Sequence, residues 1–137
     1  MKRLLFLFLS VLFLGISCTK DTKLSEFVVG NWKSQTLNLG NSPLGYFTAS
    51  IKTTNKYVLK FTLSDGSQSI TCPEVGYTVD DGKNEITIDQ PTFDPQNPAT
   101  GTVTFDVAWN KNVNGSMTWT PVAGSAGSPP TLIWTRQ

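Results

Sequence analysis

The chain has 137 residues, with eleven basic and ten acidic side chains, two cysteines and no histidine. This length predicts a single domain, and the near-neutral charge offers no basic surface for nucleic acid. The lack of histidine excludes Ser-His-Asp and Cys-His catalysis, the zinc sites built on histidine, and a histidine pH switch.

The start of the chain is typical of a secretory leader. A basic pair, Lys2 and Arg3, precedes a mostly apolar run over residues 4–16. The run is too short to span a bilayer and small residues follow it, which predicts a signal peptide over residues 1–17. A transmembrane anchor is the alternative, but nothing continues the apolar run past Ser17.

The leader ends in Gly15-Ile16-Ser17-Cys18, which resembles a bacterial lipobox, where small residues precede a lipidated cysteine. Ser17 fits the motif, whereas Gly15 stands where the pattern prefers leucine. The resemblance implies lipidation of Cys18 and an outer-membrane lipoprotein, facing the periplasm or the cell surface. The alternative is a secreted protein in which Cys18 is an incidental thiol. With Cys18 lipidated, Cys72 has no partner, so no disulfide framework is expected.

Beyond Cys18, residues 18–25 are predicted to be a short polar tether, and residues 26–137 the folded domain. In the domain, apolar and polar residues alternate with a period of two. This pattern predicts strands over residues 28–33, 45–52, 57–63, 75–79, 85–88, 102–109, 116–120 and 131–136. So many short strands, each with one apolar face, predict an antiparallel up-and-down β-barrel of about eight strands, with a β-sandwich as the alternative.

Turn residues separate the predicted strands. Residues 54–56 and 80–84 are expected to close hairpins, and Asp65-Gly66 predicts a tight two-residue hairpin because both positions tolerate positive φ. Residues 91–98 are proline-rich and cannot form a central strand. Residues 121–130 form a second long loop of small residues, and loops of such length are either functional or simply mobile.

Two short motifs resemble those of the lipocalin-like (calycin) barrels. Gly30-Asn31-Trp32 resembles the family's Gly-x-Trp signature on the first strand, and Leu132–Arg136 resembles its closing strand, which often bears an arginine. The resemblance implies that Trp32 plugs the barrel floor and that Gly30 lets the chain bend there. It also implies that Arg136 covers Trp32 through a cation–π contact and hydrogen bonds to backbone carbonyls. The alternative is that Trp32 is an ordinary core aromatic of another fold.

Aromatic residues on the apolar faces are the candidates to line a ligand cavity: Phe47, Tyr57, Phe61, Phe105, Trp109 and Trp119. In a small barrel, such side chains either fill the interior or surround one small ligand. We therefore expect a monomer that binds a small hydrophobic or amphipathic ligand without catalysis and is held at the membrane by its lipid. The alternative is a filled barrel that serves as a structural or protein-interaction module of the cell envelope.

Acidic residues cluster at one predicted hairpin. Asp80, Asp81, Asn84 and Glu85 could be read as calcium ligands, but they lack the spacing of a calcium loop. We expect a solvated turn there, and no metal or cofactor. The other carboxylates are scattered over turns and polar faces, so a glycan-directed enzyme with paired carboxylates is a further alternative that no motif favours.

Overall fold

The computed structural model describes residues 21–110, 115–125 and 129–137. The predicted signal peptide and the predicted lipidation site at Cys18 lie outside these residues. No helix in the described part is long and apolar enough to cross a membrane. Within the described residues there are one short helix, α1, at Leu24–Phe27 and ten strands, β1 to β10. In chain order the strands span Gly30–Ser34, Leu37–Leu39, Ser42–Ile51, Lys56–Leu63, Ser69–Thr71, Val75–Asp80, Glu85–Asp89, Thr102–Asn110, Ser116–Pro121 and Leu132–Arg136.

Eight of the ten strands form a closed antiparallel barrel. Around the barrel they follow one another in chain order, β1, β3, β4, β6, β7, β8, β9 and β10, and β10 pairs back onto β1. The predicted up-and-down barrel is thus confirmed, and the β-sandwich is wrong. The reason is local: neighbouring antiparallel strands need only short connections, and closure joins their apolar faces and removes the free edges.

The barrel interior is packed with alternate residues of each strand. On β8, for example, Val103, Phe105 and Val107 are buried, as their period-two spacing predicts. The ring centroids of Phe105 and Trp119 lie 5.3 Å apart, and those of Trp119 and Trp134 lie 5.2 Å apart. This row of three tilted rings fills the middle of the barrel, where offset aromatic packing is favourable.

Helix α1 covers the end of the barrel at which β1 begins. Its residues Leu24 and Phe27 are buried, and Phe27 packs on Trp32 and Trp109 with centroid distances of 5.4 and 4.7 Å. The folded domain therefore starts before the predicted tether boundary at residue 25. A helix of four residues is too short to show a periodic signal, and it owes its stability to packing.

Two three-residue strands, β2 and β5, were not predicted. Strand β2 pairs with the first part of β3, and β5 pairs with Lys60, Phe61 and Thr62 of β4, where these strands leave their barrel neighbours β1 and β6. Together these segments form a four-stranded extension in the order β2, β3, β4 and β5, here called the lip. The lip projects beyond the barrel at the end opposite to α1.

The turn at Asp65-Gly66 is longer than the predicted two-residue hairpin. The connection between β4 and β5 runs over residues 64–68, although Gly66 does have the expected positive φ, of 73°. The carboxylate of Asp65 accepts hydrogen bonds from the backbone N–H and the hydroxyl of Ser67. An aspartate that accepts a hydrogen bond from the backbone N–H two residues later favours a wider turn. The predicted hairpins at residues 54–56 and 80–84 are confirmed.

Candidate functional site

The end of the barrel under α1 is sealed by Arg136 and Trp32. The guanidinium carbon of Arg136 lies 4.4 Å from the centroid of the Trp32 ring. Its Nη1 and Nη2 donate hydrogen bonds to the carbonyls of Val29 and Phe27, at 2.9 and 2.6 Å. The predicted contact between Trp32 and Arg136, with its hydrogen bonds to backbone carbonyls, is confirmed.

Gly30 makes room for this arrangement. Its φ is +141°, and a Cβ at this position would stand 2.5 Å from Nη1 of Arg136. The glycine is therefore required both by the backbone conformation and by the close approach of the guanidinium. The Trp32 indole N–H donates to the carbonyl of Val28 at 2.7 Å. The donors in this cluster therefore bind the chain's own backbone and close this end of the barrel.

The opposite end of the barrel holds an apolar cavity of about 380 Å³, here called the mouth cavity. Its floor comes from the inward faces of β4, β7, β8 and β10. Its upper wall comes from residues 90–99 and from Pro129 and Pro130. The residues lining it are Phe47, Leu59, Ile88, Gln90, Pro91, Phe93, Ala99, Val103, Phe105, Pro129, Pro130 and Leu132. Within this described lining, Gln90 supplies the only polar side chain, and none is charged.

The mouth cavity takes in two of the six predicted lining residues, Phe47 and Phe105. Trp119 lies deeper, between Phe105 and Trp134, and fills the interior. Trp109 lies at the sealed end against Phe27. These four predicted lining residues therefore lie in three places: the mouth cavity, the packed core and the sealed end.

Tyr57 and Phe61 also lie outside the mouth cavity. The Tyr57 hydroxyl donates to the carbonyl of Asp89 at 2.6 Å, and burial, followed by nearby Cys72 and Asp89, raises its pKa above the usual value. It is therefore a satisfied core tyrosine. Phe61 lies on the lip, where β4 has left its barrel neighbour.

Aliphatic and loop residues of the cavity were missed by the sequence analysis. Leu59 and Val103 share strand faces with aromatic candidates, so period-two alternation could have identified them. Phe93 and Ala99 belong to a loop without regular structure, and no local pattern places such residues over a barrel. The predicted lining residues are all aromatic, whereas the cavity floor is mainly aliphatic.

A second apolar depression, of about 370 Å³, runs along the lip and is here called the lip groove. Every residue lining it is apolar: Leu37, Leu44, Phe47, Phe61, Ile70 and Phe93. Leu44 and Ile70 are 41% and 45% exposed, so part of this lining is open to solvent. The groove shares Phe47 and Phe93 with the mouth cavity.

The acidic cluster at the hairpin between β6 and β7 serves the backbone. One carboxylate oxygen of Asp80 accepts hydrogen bonds from the backbone N–H groups of Gly82 and Lys83. Asp81 accepts from the N–H and the hydroxyl of Ser25, which lowers its pKa and ties α1 to the barrel. Among the described residues, no group of three or more potential metal ligands comes together.

Cys72 is a buried thiol, and burial raises its pKa to about 11. At neutral pH the sulfur is therefore protonated. A buried thiol that keeps its proton is a poor nucleophile, and Cys72 packs as a small apolar core residue.

These features define a class: a closed eight-stranded antiparallel barrel, sealed at one end by a helix and an arginine, with an apolar cavity at the other. Comparisons with protein-family models, with curated proteins and with solved structures found no match. The resemblance to lipocalin-like barrels therefore rests on the residues of this chain alone, above all Gly30, Trp32 and Arg136.

Proposed function

We propose that this protein is a lipocalin-like lipoprotein of the outer membrane, anchored through Cys18, that binds a small hydrophobic or amphipathic ligand without catalysis. The ligand lies in the mouth cavity. The single observation that carries the proposal is this apolar cavity of about 380 Å³ at the open end of an otherwise packed barrel.

The size and lining of the mouth cavity support ligand binding. Pockets for small molecules usually measure about 300–1,000 Å³ and are mainly apolar, with a few polar groups that orient the ligand. Burial of apolar ligand surface contributes roughly 25 cal/mol per Å². Gln90 supplies the one polar side chain of the described cavity wall.

The packed interior limits how deep the ligand goes. Phe105 forms part of the cavity floor, and behind it Trp119 and Trp134 continue the row of rings. A ligand therefore rests on Phe105 and is covered by the loop that carries Phe93 and Ala99.

The chemistry of the lining supports a non-catalytic role. The described residues around the cavity include no carboxylate, hydroxyl, thiol or amine side chain. Acyl transfer and glycoside hydrolysis both require such groups within reach of the substrate. A cavity of this composition binds and releases its ligand unchanged.

The proposal is tested by blocking the cavity from the loop. Ala99 lines the cavity on an exposed segment, so Ala99→Trp fills the space without disturbing the core. Ala123 is an exposed alanine of the other long loop and does not line the cavity, so Ala123→Trp is the matched control.

Each purified protein is incubated with a membrane lipid extract and measured by native mass spectrometry. We expect a bound small molecule on the unmodified protein and on Ala123→Trp, and a loss of most of it on Ala99→Trp. If a broad extract yields no bound molecule, or if Ala99→Trp binds as well as its control, the proposal is wrong.

A further inference from the structure

The mouth cavity and the lip groove adjoin each other and share part of their apolar lining. Phe47 and Phe93 line both, and their ring centroids lie 6.1 Å apart at the junction. Phe47 and Phe61 stand opposite each other on β3 and β4, with centroids 5.2 Å apart. The groove therefore begins where the cavity ends, and no polar side chain of the described lining stands between them.

The lip groove arises because β3 and β4 continue beyond the barrel with the same face turned inward. Phe61 pairs with Phe47 on one side and with Ile70 on the other. Gly45 faces Phe61, and a Cβ there would stand 2.7 Å from the ring atom Cζ. The missing side chain lets the ring lie against β3. The apolar barrel face is thereby carried out into solvent.

Exposed large hydrophobic side chains concentrate on the lip. Within the described part of the chain there are four of them, and Leu39, Leu44 and Ile70 all belong to the lip. The fourth, Ile133, lies on β10. Exposed apolar side chains clustered beside an apolar cavity are typical of a ligand-binding groove.

We propose that the lip groove is a second subsite, which holds the distal part of a linear alkyl chain whose nearer part fills the mouth cavity. This inference rests on the proposed function of the mouth cavity. The site then favours long, unbranched, uncharged chains over compact apolar molecules, which fill one compartment only. Leu44 and Ile70 determine this preference for length.

The composition of the two adjoining linings favours an alkyl chain over a peptide. Methylene groups require no hydrogen bonds, and the lip groove is lined by apolar side chains alone. A peptide laid along the same lining would bury its amide groups against Phe47, Phe61 and Ile70 without partners, which is costly. The absence of charged side chains from the described lining likewise disfavours an ionised group inside either compartment.

The experiment measures affinity against chain length on the full protein. Octanol, dodecanol and hexadecanol are compared with the compact alcohol adamantanol as competitors of an environment-sensitive apolar dye. We expect affinity to rise with length by up to about fourfold per methylene, and adamantanol to bind no better than octanol. If adamantanol competes as well as hexadecanol, the inference is wrong.

Two lip variants and one control locate the effect. Leu44→Ser and Ile70→Ser each lower the affinity for hexadecanol about tenfold, which corresponds to roughly two buried methylenes, and leave octanol unchanged. Ile133→Ser is the matched control, because Ile133 is 48% exposed but lines neither compartment. In Ile133→Ser, affinity should still rise with alcohol chain length as in the unmodified protein. Near-UV circular dichroism confirms that each variant is folded.

The outcomes separate the two proposals. If no alcohol binds, the mouth cavity is not a ligand site and both proposals fail. If octanol binds but affinity still rises fully with alcohol chain length in Leu44→Ser and Ile70→Ser, only the lip groove proposal fails. It also fails if these variants change the sedimentation of the protein instead, because the lip is then an interface between copies.

Discussion

Trp32 and Trp134 are both buried, but their indole N–H groups have different surroundings. Trp32 is 0% exposed and donates a hydrogen bond to the carbonyl of Val28. Trp134 is 1% exposed, and its Nε1 has no hydrogen-bond partner within the described residues. The two residues therefore contribute different amounts of stability through the same chemical group.

The first prediction compares Trp32→Phe with Trp134→Phe. Both lose similar volume, but only Trp32→Phe removes a buried hydrogen bond and part of the surface under Arg136. We expect Trp32→Phe to lower the free energy of unfolding by about 1–3 kcal/mol more than Trp134→Phe. Urea denaturation of the two variants measures the difference. Equal losses would show that the bond to Val28 contributes nothing.

The second prediction concerns the shape of the Arg136 side chain. Its two terminal nitrogens hold the carbonyls of Phe27 and Val29, a fork that lysine cannot reproduce. Arg136→Lys should lower the free energy of unfolding by roughly 1.5–3 kcal/mol.

The control for this exchange is Lys33→Arg. Lys33 lies 4.0 Å over the Tyr46 ring at a half-buried position. The reverse exchange there should change stability by less than about 0.5 kcal/mol. If urea denaturation shows the same loss for Arg136→Lys and Lys33→Arg, the fork does not matter.

At the scale of elements, α1 is held by three kinds of contact. Leu24 and Phe27 pack into the sealed end, Arg136 binds the carbonyl of Phe27, and Ser25 binds Asp81. A helix of this length has no stability of its own. Its position therefore depends on these contacts, and one of them depends on pH.

The third prediction is the acid sensitivity of the contact between Ser25 and Asp81. Hydrogen bonds from Ser25 lower the pKa of the carboxyl in the folded protein. A lowered pKa stabilises the fold at pH values above the unfolded pKa of about 3.9, and this stabilisation is lost as pH falls through the folded value.

The unmodified protein should lose stability between about pH 5 and pH 2, and Asp81→Ala should lose less of it over this range. Ser25→Ala should show a smaller effect, because the backbone N–H of residue 25 still donates to Asp81. Urea midpoints across this range measure the effect. An unchanged acid dependence in Asp81→Ala would show that the contact does not stabilise the fold.

At the scale of the whole molecule, the proposed lipid anchor determines which end of the barrel faces the membrane. Leu24 is the first buried residue of the described chain and lies at the sealed end. The chain from Cys18 to Leu24 spans at most about 22 Å when fully extended. With Cys18 lipidated as proposed, the sealed end faces the bilayer and the mouth cavity faces the aqueous side.

The fourth prediction tests this orientation on the membrane-anchored protein. A dye is placed near α1 through Lys83→Cys, or near the mouth through Thr100→Cys, both at exposed positions. The buried Cys72 thiol should not compete for the label. Headgroup-bound quencher lipids should quench the Lys83→Cys dye more strongly. Stronger quenching of the Thr100→Cys dye would reverse the orientation.

The parts of this architecture that could be predicted from sequence are those with a local cause. Alternation along β8 is a local pattern, and it indicated the inward face of Val103 and Phe105 correctly. The contact between Trp32 and Arg136 is distant in sequence, and only the two motifs pointed to it. The combination predicted both the barrel and its sealed end.

The lip and the cavity wall could not be predicted in this way. Strand β2 has three residues, and it exists because the part of β3 before Thr48 does not pair with β1 and offers a free edge. Phe93 reaches the cavity through a proline-rich loop, whose path is set by packing and not by periodicity. Features that depend on the register between strands, or on loop paths, have no local signal.

The seam between β1 and β10 has a consequence for synthesis of the chain. Arg136 binds a carbonyl 109 positions earlier, so α1 and β1 leave the ribosome long before their partner strand exists. Until β10 emerges, the edge of β1 is open to pairing with other chains. Closing so distant a contact is also slow. The nascent chain should therefore be most prone to aggregation when it stalls or is truncated before Leu132.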